Sequence, residues 1–247
     1  MNVMLAVGLA HQQAMRQRMD VVASNIANSS TVGFKAERAR FRDEVYEMPG
    51  SQPGQLRRIH FVVVDGLFRD MAEGPIEVTG NPLDLAIKGK GFFTVEGRDG
   101  NTYYTRFGSF QLNGDRELIL PSGEKVLDAG DQPIVLAPED TDIRIDEAGV
   151  LHGAQGPIAQ LRIVQFDDEK KLERRGNTLL ASSDEPKDAE QDFRIVQGAL
   201  EASNVKPIVE MTKMIQVLRA YQAMQRSVET GNRVEERAIE RLPSVQA

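Results

Sequence analysis

The two ends of the chain share one sequence pattern, and the residues between them follow another. Near each terminus, apolar residues recur at intervals of three and four residues, or sums of these, which is the spacing of one face of an α-helix. The N-terminal set is Leu5, Leu9, Met15, Met19, Val22 and Ile26. The C-terminal set is Met211, Met214, Ile215, Leu218, Tyr221, Met224 and Val228. A chain that begins and ends in this way is predicted to bring its terminal helices together.

Each of the two apolar stripes is narrow. Burying a Leu, Ile or Met side chain contributes about 1.5–3 kcal/mol, so a seam between the ends is worth on the order of 10 kcal/mol before the entropy of ordering is subtracted. A single helix with so thin a stripe is marginal in water. We therefore expect the ends to be weakly ordered until they pack against each other or against a neighbouring molecule.

Composition and charge limit the classes of partner. The chain of 247 residues is 40% hydrophobic and has no cysteine, and its longest apolar runs, such as 61–64, are far shorter than a membrane span. Its net charge of −7 divides into +3 over residues 1–40, +1 over 199–247 and −11 between them. This acidic middle argues against nucleic acid as a partner. The charged residues within 11–20 argue against a cleavable signal peptide.

The first helix is predicted to end near Asn28, because the polar run that follows favours caps and turns. Gly33 can adopt a positive φ, and Phe34 offers a large anchor just beyond the turn; Thr31 lies in the same turn. Asn25 and Asn28 have two interpretations, as surface and capping residues or as residues whose side chains bond a neighbouring backbone.

Residues 36–73 form a variable linker segment with little pattern. Residues 37–48 could continue as a charged helix, and 59–64 resembles a strand. The cluster of proline, glycine and serine over 49–54 predicts a mobile link.

Residues 74–197 are predicted to form a central antiparallel all-β domain, because short apolar runs alternate with turn signals such as Asn113-Gly114. An antiparallel barrel or sandwich fits this spacing. The predicted strands are 83–88, 92–96, 102–107, 117–120, 134–136, 143–145, 158–166 and 193–196. The fold class is therefore α+β, with assembly helices over 1–35 and 198–247 paired as a coiled-coil-like stem. Ser203 and Asn204 are candidate N-caps of the second helix, and Pro207 is tolerable in its first turn.

Few residues suggest catalysis. The three histidines, His11, His60 and His152, are scattered, with no partner at metal or triad spacing. Residues 89–91 (GKG) lack the third glycine of a phosphate-binding turn, so a close strand approach is the better account. We expect no catalytic residues, no metal, no cofactor and no small-molecule substrate.

Four stretches together resemble the flagellar rod and hook family. Residues 27–35 (ANSSTVGFK) are similar to its N-terminal signature, 79–87 (TGNPLDLAI) with 91–93 (GFF) to its central motif, 104–110 (YTRFGSF) to the strand that follows, and 198–205 (GALEASNV) to its C-terminal signature. Ser203, Asn204 and Val205 are the signature residues nearest the second helix. Within the family, 203–207 (SNVKP) is most similar to proximal rod proteins, and distal rod proteins are the alternative.

The resemblance implies a structural subunit of the rod, the drive shaft that transmits torque. It implies export through the flagellar type III apparatus without a cleaved signal, and a place in the periplasmic part of the basal body. Its partners would be itself and other rod subunits through the terminal helices, with the surrounding ring proteins as further candidates.

A different hypothesis treats the β domain as a binding module and the helices as a private dimerisation stalk. It accounts for the strands and the acidic surface, but not for helices at both ends that carry family signatures. A stalk would give a defined dimer at low concentration, whereas a rod subunit should be monomeric.

Removal of residues 1–27 is predicted to leave a folded β domain that no longer assembles, because the helical seam loses one of its two sides. Motility of a strain that carries only the truncated chain measures this. Wild-type swimming by that strain would contradict the helical-seam hypothesis.

Overall fold

A computed structural model describes residues 3–49, 56–140, 142–176, 178–189 and 192–240. They fall into two compact units. The helical unit comprises the described parts of Met1–Ala27, Glu37–Phe68 and Lys206–Ala247. The β unit comprises the described parts of Asn28–Ala36 and Arg69–Val205.

Two long helices dominate the helical unit. They are α1, Val3–Ala27, and α2, Pro207–Glu240, and they pack against each other. The predicted α+β class and the pairing of the terminal helices are confirmed. Pro207 is the first residue of α2, where its missing N–H costs no hydrogen bond.

The predicted N-caps of α2 are wrong. The carbonyl oxygen of Lys206 accepts hydrogen bonds from the N–H groups of Val209 and Glu210, at 3.0 and 3.1 Å, so the N-cap is Lys206, three residues after Ser203 and two after Asn204. The hydroxyl of Ser203 instead accepts from the N–H of Val205, at 3.2 Å.

The helical unit also contains a two-stranded sheet of β1, Glu37–Pro49, and β2, Leu56–Arg69. The charged helix considered for 37–48 is therefore wrong. Ala39 and Phe41 are half-buried and alternate with exposed arginines, which is the period of a strand rather than of a helix. The predicted strand over 59–64 is confirmed within β2, and positions 50–54 of the predicted link lie outside the described residues.

Sixteen short strands form the β unit, and each pairing recorded within it is antiparallel. The first eight are β3 Ile76–Val78, β4 Leu85–Gly89, β5 Phe92–Glu96, β6 Thr102–Thr105, β7 Gln111–Leu112, β8 Leu118–Ile119, β9 Lys125–Val126 and β10 Arg144–Ile145. The others are β11 Val150–Gly153, β12 Gly156–Gln160, β13 Ile163–Gln165, β14 Glu173–Arg175, β15 Leu179–Ala181, β16 Lys187–Asp188, β17 Phe193–Gln197 and β18 Ala199–Glu201.

The largest sheet runs in the order β14-β15-β6-β5-β9-β8-β7, and β13 pairs with both β5 and β16. Smaller sheets are β10-β11-β12, β17-β4 and β18-β3. The predicted strand 158–166 is in fact two strands, because Leu161 leaves the ladder to bridge Asp128. Residues 134–136 form no regular strand; Val135 makes only an isolated bridge to Glu117.

A hydrophobic core fills the β unit. Sixteen buried side chains form its main cluster, in which the rings of Phe93 and Phe110 meet edge to face with centroids 5.1 Å apart. Phe92, Tyr104 and Phe166 belong to a second cluster. Because the core is drawn from most of the strands, the unit depends on many short elements rather than on one long sheet.

Phe93→Ala is predicted to lower the free energy of unfolding by about 3–5 kcal/mol, because it leaves a cavity at a fully buried position. Val135→Ala, at a residue that is 53% exposed, should change it by less than about 0.5 kcal/mol. Denaturant unfolding of the two variants measures the difference. Equal losses would show that the core is not where the structure places it.

Candidate assembly surface

The face of α2 that packs on α1 carries a continuous stripe, here called the inner stripe. Its members are buried or half-buried and are spaced alternately by four and three residues, which is the heptad spacing of a coiled coil. They are Glu210, Met214, Val217, Tyr221, Met224, Val228 and Gly231.

Two contacts fix the direction of the helix pair. Near one end, the side-chain nitrogen of Asn25 lies 3.4 Å from a carboxylate oxygen of Glu210. Near the other, a methyl group on Gly8 would lie 2.8 Å from Cγ2 of Val228, so the helices approach closely there. Rising residue numbers on α2 therefore meet falling numbers on α1, and the pair is antiparallel.

A second apolar stripe of α2 lies in solvent. This outer stripe consists of Ile208, Met211, Ile215 and Leu218, which are 81, 52, 52 and 43% exposed. The ideal helix repeat places it about 100° around the axis from the inner stripe and makes it about 15 Å long. A run of large apolar side chains left in water marks a surface for another molecule.

The sequence pattern merged these two stripes into one. Of the predicted C-terminal set, Met214, Tyr221, Met224 and Val228 lie in the inner stripe, whereas Met211, Ile215 and Leu218 lie in the outer stripe. Val217, which is 3% exposed, and Ile208 were missed. Both stripes alternate intervals of three and four residues, so spacing alone does not separate them, and only the burial of each side chain does.

The predicted set on α1 is also divided. Met15 and Val22 are buried, Met19 and Ile26 are half-buried, and Leu9 is 56% exposed. The side chain of Leu5 lies outside the described residues.

Two buried residues of α1 were missed by the pattern. Val21 lines a cavity with Phe41 and Phe68, so this side of α1 faces the two-stranded sheet, and Ala14 lies seven residues earlier on the same side. The apolar spacing did not indicate this second buried face, because small and polar residues lie between the predicted ones.

Asn25 is buried in the helical unit, at 2% exposure, and its side chain links α1 to the start of β1. Its amide nitrogen donates to the carbonyl oxygen of Glu37 at 2.9 Å, and its amide oxygen accepts from the N–H of Glu37 at 2.8 Å. The side chain thus serves both backbone groups of the first residue of β1. The interpretation as a surface residue is wrong, and the alternative, bonding to a neighbouring backbone, is confirmed.

The signature turn belongs to the β unit. The N–H of Thr31 donates to the carbonyl oxygen of Asn28 at 3.1 Å, and the N–H of Phe34 donates to that of Thr31 at 3.2 Å. Gly33 has φ +66°, and its N–H donates to the carbonyl oxygen of Glu201 at 2.7 Å. The predicted positive φ and the burial of Phe34, which is 3% exposed, are confirmed.

Asn204 joins three segments of the β unit. Its side-chain oxygen accepts from the N–H of Ala36 at 2.8 Å. Its side-chain nitrogen donates to the carbonyl oxygens of Asp70 and Ala72, at 2.7 and 2.9 Å. Val205 packs beside it in a small buried cluster with Phe34 and Ala36. The C-terminal signature thus holds the turn in place rather than capping the helix.

A buried ionic cluster underlies the same turn. Nζ of Lys35 lies 2.6 Å from Oε1 of Glu201, and a guanidinium nitrogen of Arg106 lies 3.3 Å from Oε2. The three side chains are at most 4% exposed. Burial lowers the pKa of Lys35, although Glu201 opposes this effect. Sequence reasoning missed this cluster, because nothing in the local pattern marks a charged residue as buried.

The central motif has a separate polar network. The buried carboxylate of Asp84 accepts from the hydroxyl of Thr79 at 2.7 Å, from the amide of Asn81 at 3.0 Å and from the hydroxyl of Ser109 at 3.1 Å. This network explains why the motif combines these residue types around one turn.

No active-site constellation emerges from the described part of the chain. Across residues 3–49, 56–140, 142–176, 178–189 and 192–240, no group of three or more His, Cys, Asp or Glu side chains is arranged to hold a metal ion. Within the same ranges, no helix is long and apolar enough to cross a membrane.

The fold and these sites define an α+β protein whose two terminal helices pair, with one apolar helix face still open. Three family models match the chain in order: Flagella basal body rod protein over residues 8–35, Flagellar hook protein FlgE/F/G D1 domain over 86–153, and Flagellar basal body rod FlgEFG protein C-terminal over 196–241.

Whole-chain relatives agree with these matches. The chain is 34% identical to the flagellar basal-body rod protein FlgF of Caulobacter vibrioides, over 99% of this chain and 100% of the relative. It is 36% identical to FlgF of Mesorhizobium japonicum over 88% of each chain. It is 32% identical to FlgG of Caulobacter vibrioides, over 93% of this chain and 94% of the relative. The chain belongs to the flagellar basal-body rod protein family.

Gly33→Ala is predicted to destabilise the β unit more than Gly100→Ala does. Both residues have positive φ, +66° and +75°, so both variants carry the left-handed strain of about 1–2 kcal/mol. A new methyl group at Gly33 would lie 2.5 Å from the backbone carbon of Arg106, whereas at Gly100 it meets nothing within 4 Å. This contact should add about 2 kcal/mol to the loss at Gly33, measured by denaturant unfolding. An equal loss in both variants would contradict the packing described for the turn.

Proposed function

We propose that the protein is a structural subunit of the flagellar rod, of the proximal FlgF type, that polymerises through its terminal helices. The exposed outer stripe of α2 carries this proposal, because it is apolar, continuous and left in water while the inner stripe is covered by α1. The FlgG-type alternative has weaker support, since the FlgG relative above is 32% identical and the two FlgF relatives are 34% and 36% identical.

The two stripes of α2 have different roles: the inner stripe packs within the subunit, and the outer stripe packs against another subunit. Residues such as Val217 and Met224 hold α2 on α1, so the helix pair does not need a neighbour in order to bury them. Residues such as Ile208 and Ile215 contribute the free energy of apolar burial only when another molecule covers them. Burial of half-exposed side chains of this size contributes on the order of 1 kcal/mol each.

A repeated contact of this kind suits a rod under torque. Each subunit adds only a modest apolar contact, but successive helices share the load over many such contacts. The signature residues Asn28, Thr31, Gly33 and Phe34, together with Ser203, Asn204 and Val205, are proposed to keep the two chain segments next to the helices in register for assembly.

Membership of the family supports further proposals on the export route, the location and the partners of the chain. We propose that the chain is exported by the flagellar type III apparatus, lies in the periplasmic part of the basal body, and contacts itself, other rod subunits and the surrounding rings. Its role is structural rather than catalytic. A β-unit binding module with a dimerisation stalk is the competing proposal.

Ile215→Asp is predicted to abolish rod assembly while leaving the fold intact, because a carboxylate in the outer stripe opposes burial in a subunit contact. Gln216→Asp is the matched control, since it introduces the same charge at the next exposed position but outside both stripes. Swimming halos of a deletion strain complemented with each full-length variant provide the measurement. We expect no swimming with Ile215→Asp and about wild-type swimming with Gln216→Asp.

Circular dichroism and sizing of the purified variants complete the experiment. Unchanged helix content in Ile215→Asp would show that the loss lies in assembly. Wild-type swimming by Ile215→Asp would overturn the outer stripe as the contact, and a tight wild-type dimer at low concentration would favour the stalk.

A further inference from the structure

A small cavity in the β unit is lined by cationic side chains. Lys35, Arg69, Arg106 and Arg174 all line it, together with residues that include Thr178, and its volume is about 20 Å³. None of the described residues that line it carries a carboxylate, although Glu201 contacts Lys35 and Arg106 from beside the cavity. This cavity is therefore strongly basic, although the chain as a whole is acidic.

Arg106 is the most buried of the three arginines, at 5% exposure. Its terminal nitrogens donate to the carbonyl oxygens of Ile87 and Gly89, at 3.1 and 2.8 Å. Its Nε is fully buried and has no hydrogen-bond partner. A buried charged donor without an acceptor is costly, so such a group is expected to have an acceptor that is not part of the chain.

Glu201 does not meet this need. One of its oxygens accepts from Nζ of Lys35 and from the N–H of Gly74, at 2.6 and 2.9 Å, and the other lies 3.3 Å from the terminal nitrogen of Arg106. Both oxygens are thus already engaged. Burial lowers the pKa of Lys35 and the charge of Arg106 lowers it further, so a negative charge in the cavity would favour the charged lysine.

We propose that this cavity binds a chloride-sized monovalent anion. Its volume is close to that needed for one water molecule, which excludes phosphate, sulfate and nucleotides. Guanidinium groups supply the donors for a compact anion, and Arg106 supplies one that no other group uses. The site lies beneath the signature turn, since Gly33 and Phe34 also line the cavity.

Bromide provides a direct test in crystals of the full-length protein. Crystals soaked in sodium bromide should show an anomalous peak inside the cavity, in contact with Arg106. A water molecule in the cavity, with bromide peaks only at the outer surface, would overturn the proposal.

A solution experiment tests the same site without a crystal. At equal ionic strength, sodium chloride should raise the melting temperature of the full chain above its value in sodium gluconate, because only the smaller anion fits the cavity. The chloride concentration at half-maximal effect should rise about tenfold in Arg174→Gln, because a charged hydrogen-bond donor is lost. Arg174 is half-buried, so this variant is expected to fold.

Arg175→Gln is the matched control, because Arg175 is the next residue of β14 and its side chain is 61% exposed on the opposite face of the strand. It should respond to chloride as the wild type does. Equal chloride responses in the two variants, or equal melting temperatures of the wild type in chloride and gluconate, would overturn the proposal.

Discussion

The β unit depends on one buried carboxylate. Glu201, at 1% exposure, accepts hydrogen bonds from Lys35, from the N–H of Gly74 and from Arg106, while its backbone oxygen accepts from Gly33. The residue thus joins the segment that follows α1 to the segment that precedes α2. Removing one partner from such a buried pair leaves an uncompensated charge, which is far more costly than losing a surface ion pair.

Two asparagine side chains also join separate segments of the chain, but through neutral hydrogen bonds rather than ion pairs. Asn25 satisfies both backbone groups of Glu37, and Asn204 satisfies the backbone of Ala36, Asp70 and Ala72. An amide carries a donor and an acceptor at fixed spacing, so one side chain can replace a missing strand neighbour. A signature rich in asparagine, serine and glycine is therefore a set of backbone contacts as much as a set of turn residues.

Much of the fold was predictable from residue spacing, whereas the sites were less so. The 3.6-residue period found both helices, and turn pairs such as Asn113-Gly114 located the β unit. Periodicity could not show that α2 has two apolar faces, because a residue such as Leu218 lies three or four residues from members of both faces. It also could not find the Lys35–Glu201–Arg106 cluster, because the partners lie up to 166 residues apart and come together only in the folded β unit.

The two-stranded sheet of 13 and 14 residues has a further consequence. Long strands with unpaired edges can pair with strands of another chain, which leads to aggregation. In β1 the positions that alternate with Ala39 and Phe41 are Arg38, Arg40 and Arg42, all of which are exposed. Such charges make amyloid-like stacking of identical strands unfavourable, because each added copy would align like charges. The exposed arginines thus disfavour the pairing of this sheet with the same sheet of another chain.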